Sequence, residues 1–244
     1  MSTVESYKKN LDSSSVWSVK NMLALGLRAA DYYGIAGPTN ARFSASLPGR
    51  SDVLLIHLSE GWANAKAENV VAVDSDGLRL DGVGRVDRAM VEAHFGMHAA
   101  SGRDWVLHVY SHHVVESATN GSRGFADALL RLSRRDAERT VQNHSYGDAR
   151  VVGEVSAPAP APASKVGAEI LLLANSGVGV CGNTLEHAFD DLYHLERALL
   201  ANYLSLTSDL EPARLSGELS SLLRAQYTTQ KSQYGFVGIS EITV

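Results

Sequence analysis

The stretch Val91–Val115, VEAHFGMHAASGRDWVLHVYSHHVV, sets a helix against a strand and carries His94, His98, His108, His112 and His113, five of the nine histidines in the chain. Asp87 reads as an N-cap, and Met90, Ala93 and Met97 recur at helical spacing, so the chain is expected to be helical from Arg88 to a stop near Gly102. His94 and His98 are spaced i, i+4 and therefore share one helix face, about a turn apart. Beyond the glycine, Trp105-Val106-Leu107-His108-Val109 reads as a buried strand, and His108 and Tyr110 point to the same side of it because side chains alternate with period two. A helix ending near Gly102 and a strand starting near Asp104 can bring the two histidine groups together. Imidazole exchanges a proton near neutral pH and is a common metal ligand. Five imidazoles in one helix-to-strand unit thus mark a candidate site. The plainer alternative is a set of structural histidines, each satisfied by a hydrogen bond.

On the N-terminal side, Ser15 reads as the cap of an amphipathic helix that stops at Gly34. Val16, Val19, Met22, Leu23, Leu27 and Ala30 form its apolar stripe, and Gly26 on the same side allows a close approach to whatever the helix covers. Gly34, Gly37 and Pro38 then punctuate a turn, where the backbone with Thr39 and Asn40 could hold an anion or simply connect. Ala41 to Ser46 alternates as a strand, with Arg42 beside the turn. Asp52 to Leu58, Asn69 to Val73 and Leu78 to Leu80 are further short strands, with Asp74-Ser75-Asp76-Gly77 as a turn. Short turns between successive strands imply antiparallel pairing, with helices covering the sheet.

On the C-terminal side, a helix is expected within Ser122 to Thr140, its Arg131, Arg134, Arg135 and Arg139 forming a solvated face. Residues 156–164, SAPAPAPAS, form a proline-rich excursion. Glu169 to Ala174 is the most apolar run and reads as a central strand. Asn175-Ser176-Gly177 and a short strand, Val178 to Cys181, follow it. Asn183 then caps a long helix with Leu185, Phe189, Leu192, Leu195, Leu199 and Tyr203 on its core face. His187 and His194 on that helix read as structural or surface residues. A last helix, Glu211 to Tyr227, precedes an apolar tail within 228–244 that would dock on something, a neighbouring subunit included.

With 244 residues the chain can bury a substantial core, and residues 1–244 are expected to form one domain. A formal net charge of -5 lacks the basic field that phosphate binding requires, which argues against nucleic acid as a partner. No apolar run approaches the ~20 residues of a membrane span. The single cysteine, Cys181, excludes an internal disulfide and suits a reducing cytoplasm.

The GIAGPTNAR turn, the strand meander, the MVEAHFGMHAA helix, WVLHVYSHH, ILLLANSGVGVCG and the helix opening TLEHAFDDLYHLE occur in an order that resembles the class II aldolase/adducin family, over roughly residues 15 to 205. VLHVYSHH looks like the family's His-x-His strand, and ANSGVGVCGNTLEHAFDDLYHLE like its Asn-His-Gly segment and following helix. The resemblance implies an α/β fold, a single three-layer αβα domain with a mainly antiparallel central sheet, and a homotetramer with sites near subunit interfaces. It also implies three histidines on a divalent metal and a glutamate that moves protons. Here His108 matches the first ligand, but Tyr110 stands at the second and Ser176 at the third. His94 stands at the glutamate position, and His113 falls where the family often has histidine or tyrosine.

A phenol and a neutral hydroxyl are poor ligands beside imidazole. No tightly bound cofactor is therefore expected, and His108 is the retained ligand position should a divalent metal (Zn, Mn or Fe) bind. His94 can replace a carboxylate as acid or base, and Tyr110 can donate to a developing oxyanion. The expected site has His94, His108, Tyr110 and His113 as catalytic groups and Thr39, Asn40, Arg42, His98, Asn175 and Ser176 around a small-molecule substrate. The expected activity is that of an aldolase-like lyase on an enolisable carbonyl compound, in specialised biosynthesis. Aldol-type carbon–carbon chemistry, decarboxylation, elimination and cyclisation would all use these parts. Two alternatives stand beside it: a non-catalytic adducin-like binding or assembly module, and a metal-dependent sugar-phosphate aldolase.

Overall fold

The computed structural model describes residues 14–35, 42–58, 61–109, 149–152, 170–173 and 177–207, with single helical positions at 218, 219, 222, 225, 226 and 229. Helix α1 (Ser14–Tyr32) leads into β1 (Arg42–Leu47), β2 (Arg50–His57), β3 (Val70–Asp74) and β4 (Arg79–Asp81). Helix α2 (Arg88–Ser101) precedes β5 (Trp105–Val109); β6 (Ala149–Val152), β7 (Ile170–Leu173), β8 (Gly177–Gly182) and α3 (Leu185–Thr207) follow. The eight strands form one sheet in the order β4-β3-β2-β1-β5-β8-β7-β6. Every neighbouring pair is antiparallel except β6 with β7, so the expected meander and mainly antiparallel sheet are present.

Alternation divides the sheet into two faces. Phe43, Ala45 and Leu47 of β1 and Trp105, Leu107 and Val109 of β5 join a core shared with Leu23, Leu27 and Ala30 of α1 and Leu185, Phe189 and Leu192 of α3. The opposite face packs on α2: Val106, Leu171 and Cys181 gather around Met97, and Leu54, Ile56, Val71 and Val73 around Val91. Three layers result, with α1 and α3 on one side and α2 on the other.

Local signals explain the element ends. The Asp87 carboxylate accepts from the Ala89 and Met90 amides at 2.9 and 3.4 Å, and α2 stops at Gly102, whose φ of 64° is left-handed. In α1, Val16, Leu23, Leu27 and Ala30 are buried as expected, while Val19 and Met22 are partly buried. A Cβ at Gly26 would lie 2.9 Å from Leu185 Cδ1, so the missing side chain is what lets α1 meet the start of α3. Lys20, on the same helix, is buried and pairs with Asp81 Oδ2 at 2.6 Å, joining α1 to β4.

Three readings change. Thr184, not Asn183, caps α3: its Oγ1 accepts from the His187 amide at 3.2 Å, whereas the Asn183 side chain accepts from Arg103 Nη1 at 3.1 Å. The apolar run at β7 is next to the edge rather than central. It is apolar throughout because both faces are covered, Ile170 by the α1–α3 core and Leu171 by the α2 side. The edge strand β6 has only four residues and gave no readable alternation. The helix expected within Ser122 to Thr140 and the proline-rich residues 156–164 lie outside the described residues. So do the tail and most of the last helix.

Gly182 closes β8 under the first turn of α3. A Cβ there would meet the Ala188 backbone nitrogen at 2.8 Å and the Thr184 carbonyl at 3.0 Å, atoms that cannot swing aside. Gly182→Ala should therefore destabilise the protein by about 1–3 kcal/mol, the usual range for overpacking. At Gly179 the nearest atom is the movable Met97 Sδ, so Gly179→Ala should lose less. Urea unfolding of the two variants checks the order.

Candidate functional site

Strands β1 and β5 lie side by side with Arg42 opposite His108 and Ser44 opposite Val106. Because Phe43 and Leu107 are held in the α1–α3 core, Ser44 and His108 emerge on the α2 side of the sheet. Helix α2 lies over them, and its i, i+4 spacing sets His94 and His98 together on its inner face. Gly179 of β8 is paired with His108, and its bare backbone leaves room for Met97 and hence for the close seat of α2.

Ser44 is the junction. Its Oγ lies 2.7 Å from His94 Nδ1 and 2.9 Å from His98 Nε2, and all three residues are buried. His98 Nδ1 donates to the Arg103 carbonyl at 2.8 Å, so both its ring nitrogens are engaged. His94 is fully buried, and its ring centroid lies 5.6 Å from that of His108. Its Nε2 has no hydrogen-bond partner among the described residues.

Burial holds His94 well below the usual histidine range, and His108, His98 and Arg42 add electrostatic pressure in the same direction. Burial also pushes His98 down to about 4, against the opposing pull of its bond to the Arg103 carbonyl and of nearby Asp104. Both imidazoles are accordingly neutral at pH 7, and His94 Nε2 is a buried polar atom without a hydrogen-bond partner among the described residues.

Four of the expected site residues, His94, His98, Arg42 and His108, therefore converge between β1, β5 and α2. Tyr110, His113, Thr39, Asn40, Asn175 and Ser176 lie outside the described residues. Ser44 was missed: RFSASL showed alternation, and a serine in step with Arg42 was the available signal, but nothing in the strand pointed to the helix fifty residues on. His187 and His194 sit on α3, which packs on the opposite side of the sheet from α2.

The described donors do not fit a three-imidazole metal centre. His98 has no free nitrogen and His94 Nδ1 is occupied by Ser44, and no group of three or more histidine, cysteine or acidic side chains among the described residues is placed to hold a metal ion.

The family model of the class II aldolase and adducin N-terminal domain matches residues 21–203. The chain belongs to the class II aldolase and adducin family. No curated protein sequence gives a significant match. Among solved structures, an aldolase II superfamily protein from Pseudomonas syringae is 20% identical with a TM-score of 0.67, over 96% of this chain and 92% of that one. An L-fuculose 1-phosphate aldolase from Glaciozyma antarctica is 15% identical with a TM-score of 0.61, over 96% and 94%. YgbL from Escherichia coli, titled a putative aldolase/epimerase/decarboxylase, is 19% identical with a TM-score of 0.57, over 85% and 98%. At these identities the likeness is one of fold, and the α/β family architecture is common to all of them.

Two buried neutral histidines make stability depend on pH. Once unfolded, each binds a proton below its ordinary value near 6.5; folded, His98 does so only below about 4. The unfolded chain then holds more protons, so stability should fall as pH drops from 6.5 towards 4 and be regained above it. For His98 alone the loss is on the order of 3 kcal/mol. Urea midpoints between pH 7.5 and 4.5 should show this slope, and His98→Gln should lessen it, leaving the part due to His94.

Proposed function

We propose that this protein is an aldolase-like lyase acting on an enolisable carbonyl compound, with His94 as its base. The observation that supports this reading is His94 itself: a buried, neutral imidazole whose Nε2 has no hydrogen-bond partner among the described residues, beside His108 and Arg42. Burial keeps this imidazole unprotonated at neutral pH, so its lone pair is available to accept a proton. The solved aldolases of the same fold add support for lyase chemistry on a small molecule.

In the retro-aldol direction, His94 Nε2 takes the proton of the substrate's β-hydroxyl. The O–H bond breaks and the oxygen's electrons form the new carbonyl. The carbon–carbon bond cleaves, and its electron pair moves into the enolate of the second fragment. Protonated His94 then returns the proton to the enolate carbon, which releases the second carbonyl product. The Arg42 guanidinium, half-buried beside His108, is suited to the enolate oxygen or to a substrate carboxylate. Tyr110 and His113 on the segment after β5, with Thr39, Asn40, Asn175 and Ser176, complete the proposed site. No step passes through a metal ion. Decarboxylation, elimination and cyclisation in a biosynthetic setting would draw on the same base and oxyanion partner.

Proton exchange tests the reading without the natural substrate. Wild-type protein in D2O should incorporate deuterium at the α-carbon of members of a panel of hydroxyketones and 2-oxo acids, followed by NMR. His94→Ala should lower that rate by roughly 10² to 10⁴. His187→Ala should leave it unchanged. Since His94 is held below the usual histidine range, the rate should be flat near neutrality and fall on the acid side. A folded wild-type protein that exchanges none of the panel would favour the binding-module reading.

We further propose one domain assembled as a cytoplasmic homotetramer without tightly bound metal. Light scattering should give four subunits, and elemental analysis of protein purified without chelator less than one zinc per subunit. Monomer alone, or one zinc per subunit lost in His108→Ala, would overturn the corresponding part.

A further inference from the structure

The contacts around Ser44 have a direction, and it can be worked out from the one end that permits no choice. The Arg103 carbonyl can only accept, so His98 Nδ1 carries a hydrogen and donates it. His98 is neutral, because burial pushes it down to about 4, and its Nε2 must then be the unprotonated nitrogen. That nitrogen lies 2.9 Å from Ser44 Oγ, so the serine hydroxyl donates to it. Ser44 has only one hydrogen to give. At its other contact, 2.7 Å from His94 Nδ1, the serine oxygen has to accept, and His94 Nδ1 has to donate. A neutral imidazole carries one N–H. The lone pair of His94 therefore lies on Nε2, the nitrogen without a partner among the described residues.

We propose that Ser44 is a positioning residue: with His98 and the Arg103 carbonyl it forms a one-way hydrogen-bond chain that holds His94 as the Nδ1–H tautomer and presents its Nε2 lone pair to the substrate. This inference rests on the base role given to His94 above for its functional meaning, though the tautomer itself does not. The opposite tautomer is disfavoured twice over. It would leave a buried N–H at Nε2 without a partner among the described residues, and it would require the single serine proton to serve two lone pairs at once. The chain also tolerates catalysis. When Nε2 takes a proton, His94 Nδ1–H still donates to Ser44, so neither Ser44 nor His98 has to reorient. Around the chain, His108 and Arg42 face His94 and Asp104 lies near His98. The nearest electrostatic influences on the base thus oppose its protonation at rest, leaving the lone pair available.

The tautomer can be read directly. Long-range proton–nitrogen correlation spectra of the full chain, labelled with ¹⁵N-histidine at neutral pH, report which ring nitrogen carries hydrogen. Loss of signals in His94→Gln and His98→Gln supplies the assignments. Both residues should appear as Nδ1–H tautomers. A His94 signal of the Nε2–H type would overturn the proposal, and the wild-type spectrum decides this without any variant at Ser44. In Ser44→Ala, His94 should shift to a mixture of tautomers, and the deuterium-exchange rate should drop roughly tenfold, the scale of one hydrogen bond. Ser44→Thr, which keeps a hydroxyl, should restore both. A folded Ser44→Ala protein with an unchanged His94 tautomer and rate would also overturn it. The two readings fail separately: an Nδ1–H tautomer in a protein without exchange activity removes the lyase and keeps the chain, whereas exchange with an Nε2–H His94 removes the chain and the Nε2 base and leaves lyase chemistry to another base.

Discussion

The pairing of β1 with β5 is the constraint on which the rest depends. Phe43 and Leu107 lie opposite each other and are fully buried in the α1–α3 core, which leaves only one direction for the residues beside them. Ser44 and His108 must then face α2. A slip of one residue would expose Phe43 and Leu107 to the wrong face and bury the site residues among α1 and α3, so apolar burial enforces the register that builds the site.

The second layer of order comes from the fit of α2 to that surface. Met97 settles over Gly179, and Val91 among Leu54, Ile56, Val71 and Val73, which sets the height of the helix above the sheet. At that height Ser44 bridges His94 and His98 within hydrogen-bond distance. Desolvation, the same effect that stabilises the apolar contacts around them, keeps both imidazoles uncharged. Packing and chemistry are therefore coupled: a looser α2 would admit water, and the histidines would recover their ordinary protonation. The helix ends serve this arrangement too. The left-handed Gly102 turns the chain so that the Arg103 carbonyl comes back to His98.

Much of this was legible in the residues themselves. The Asp87 cap, the stops at Gly34 and Gly102, the meander and the β5 strand are local signals, and each acts within a few residues of where it is written. The motif order around VLHVYSHH pointed to the family. Thr184 displaced Asn183 as the cap because two capping residues stand side by side there and only the turn geometry chooses between them.

What the sequence by itself determined was the set of elements, their faces and the concentration of imidazole at one helix-to-strand unit, because hydrophobic period and capping chemistry are properties of neighbouring residues. The tertiary structure alone decided that Ser44 meets His94 and His98 across fifty residues of chain, and that both rings lose their water. Hydrogen-bond direction and desolvation depend on which groups are brought together, and no spacing along the chain encodes that.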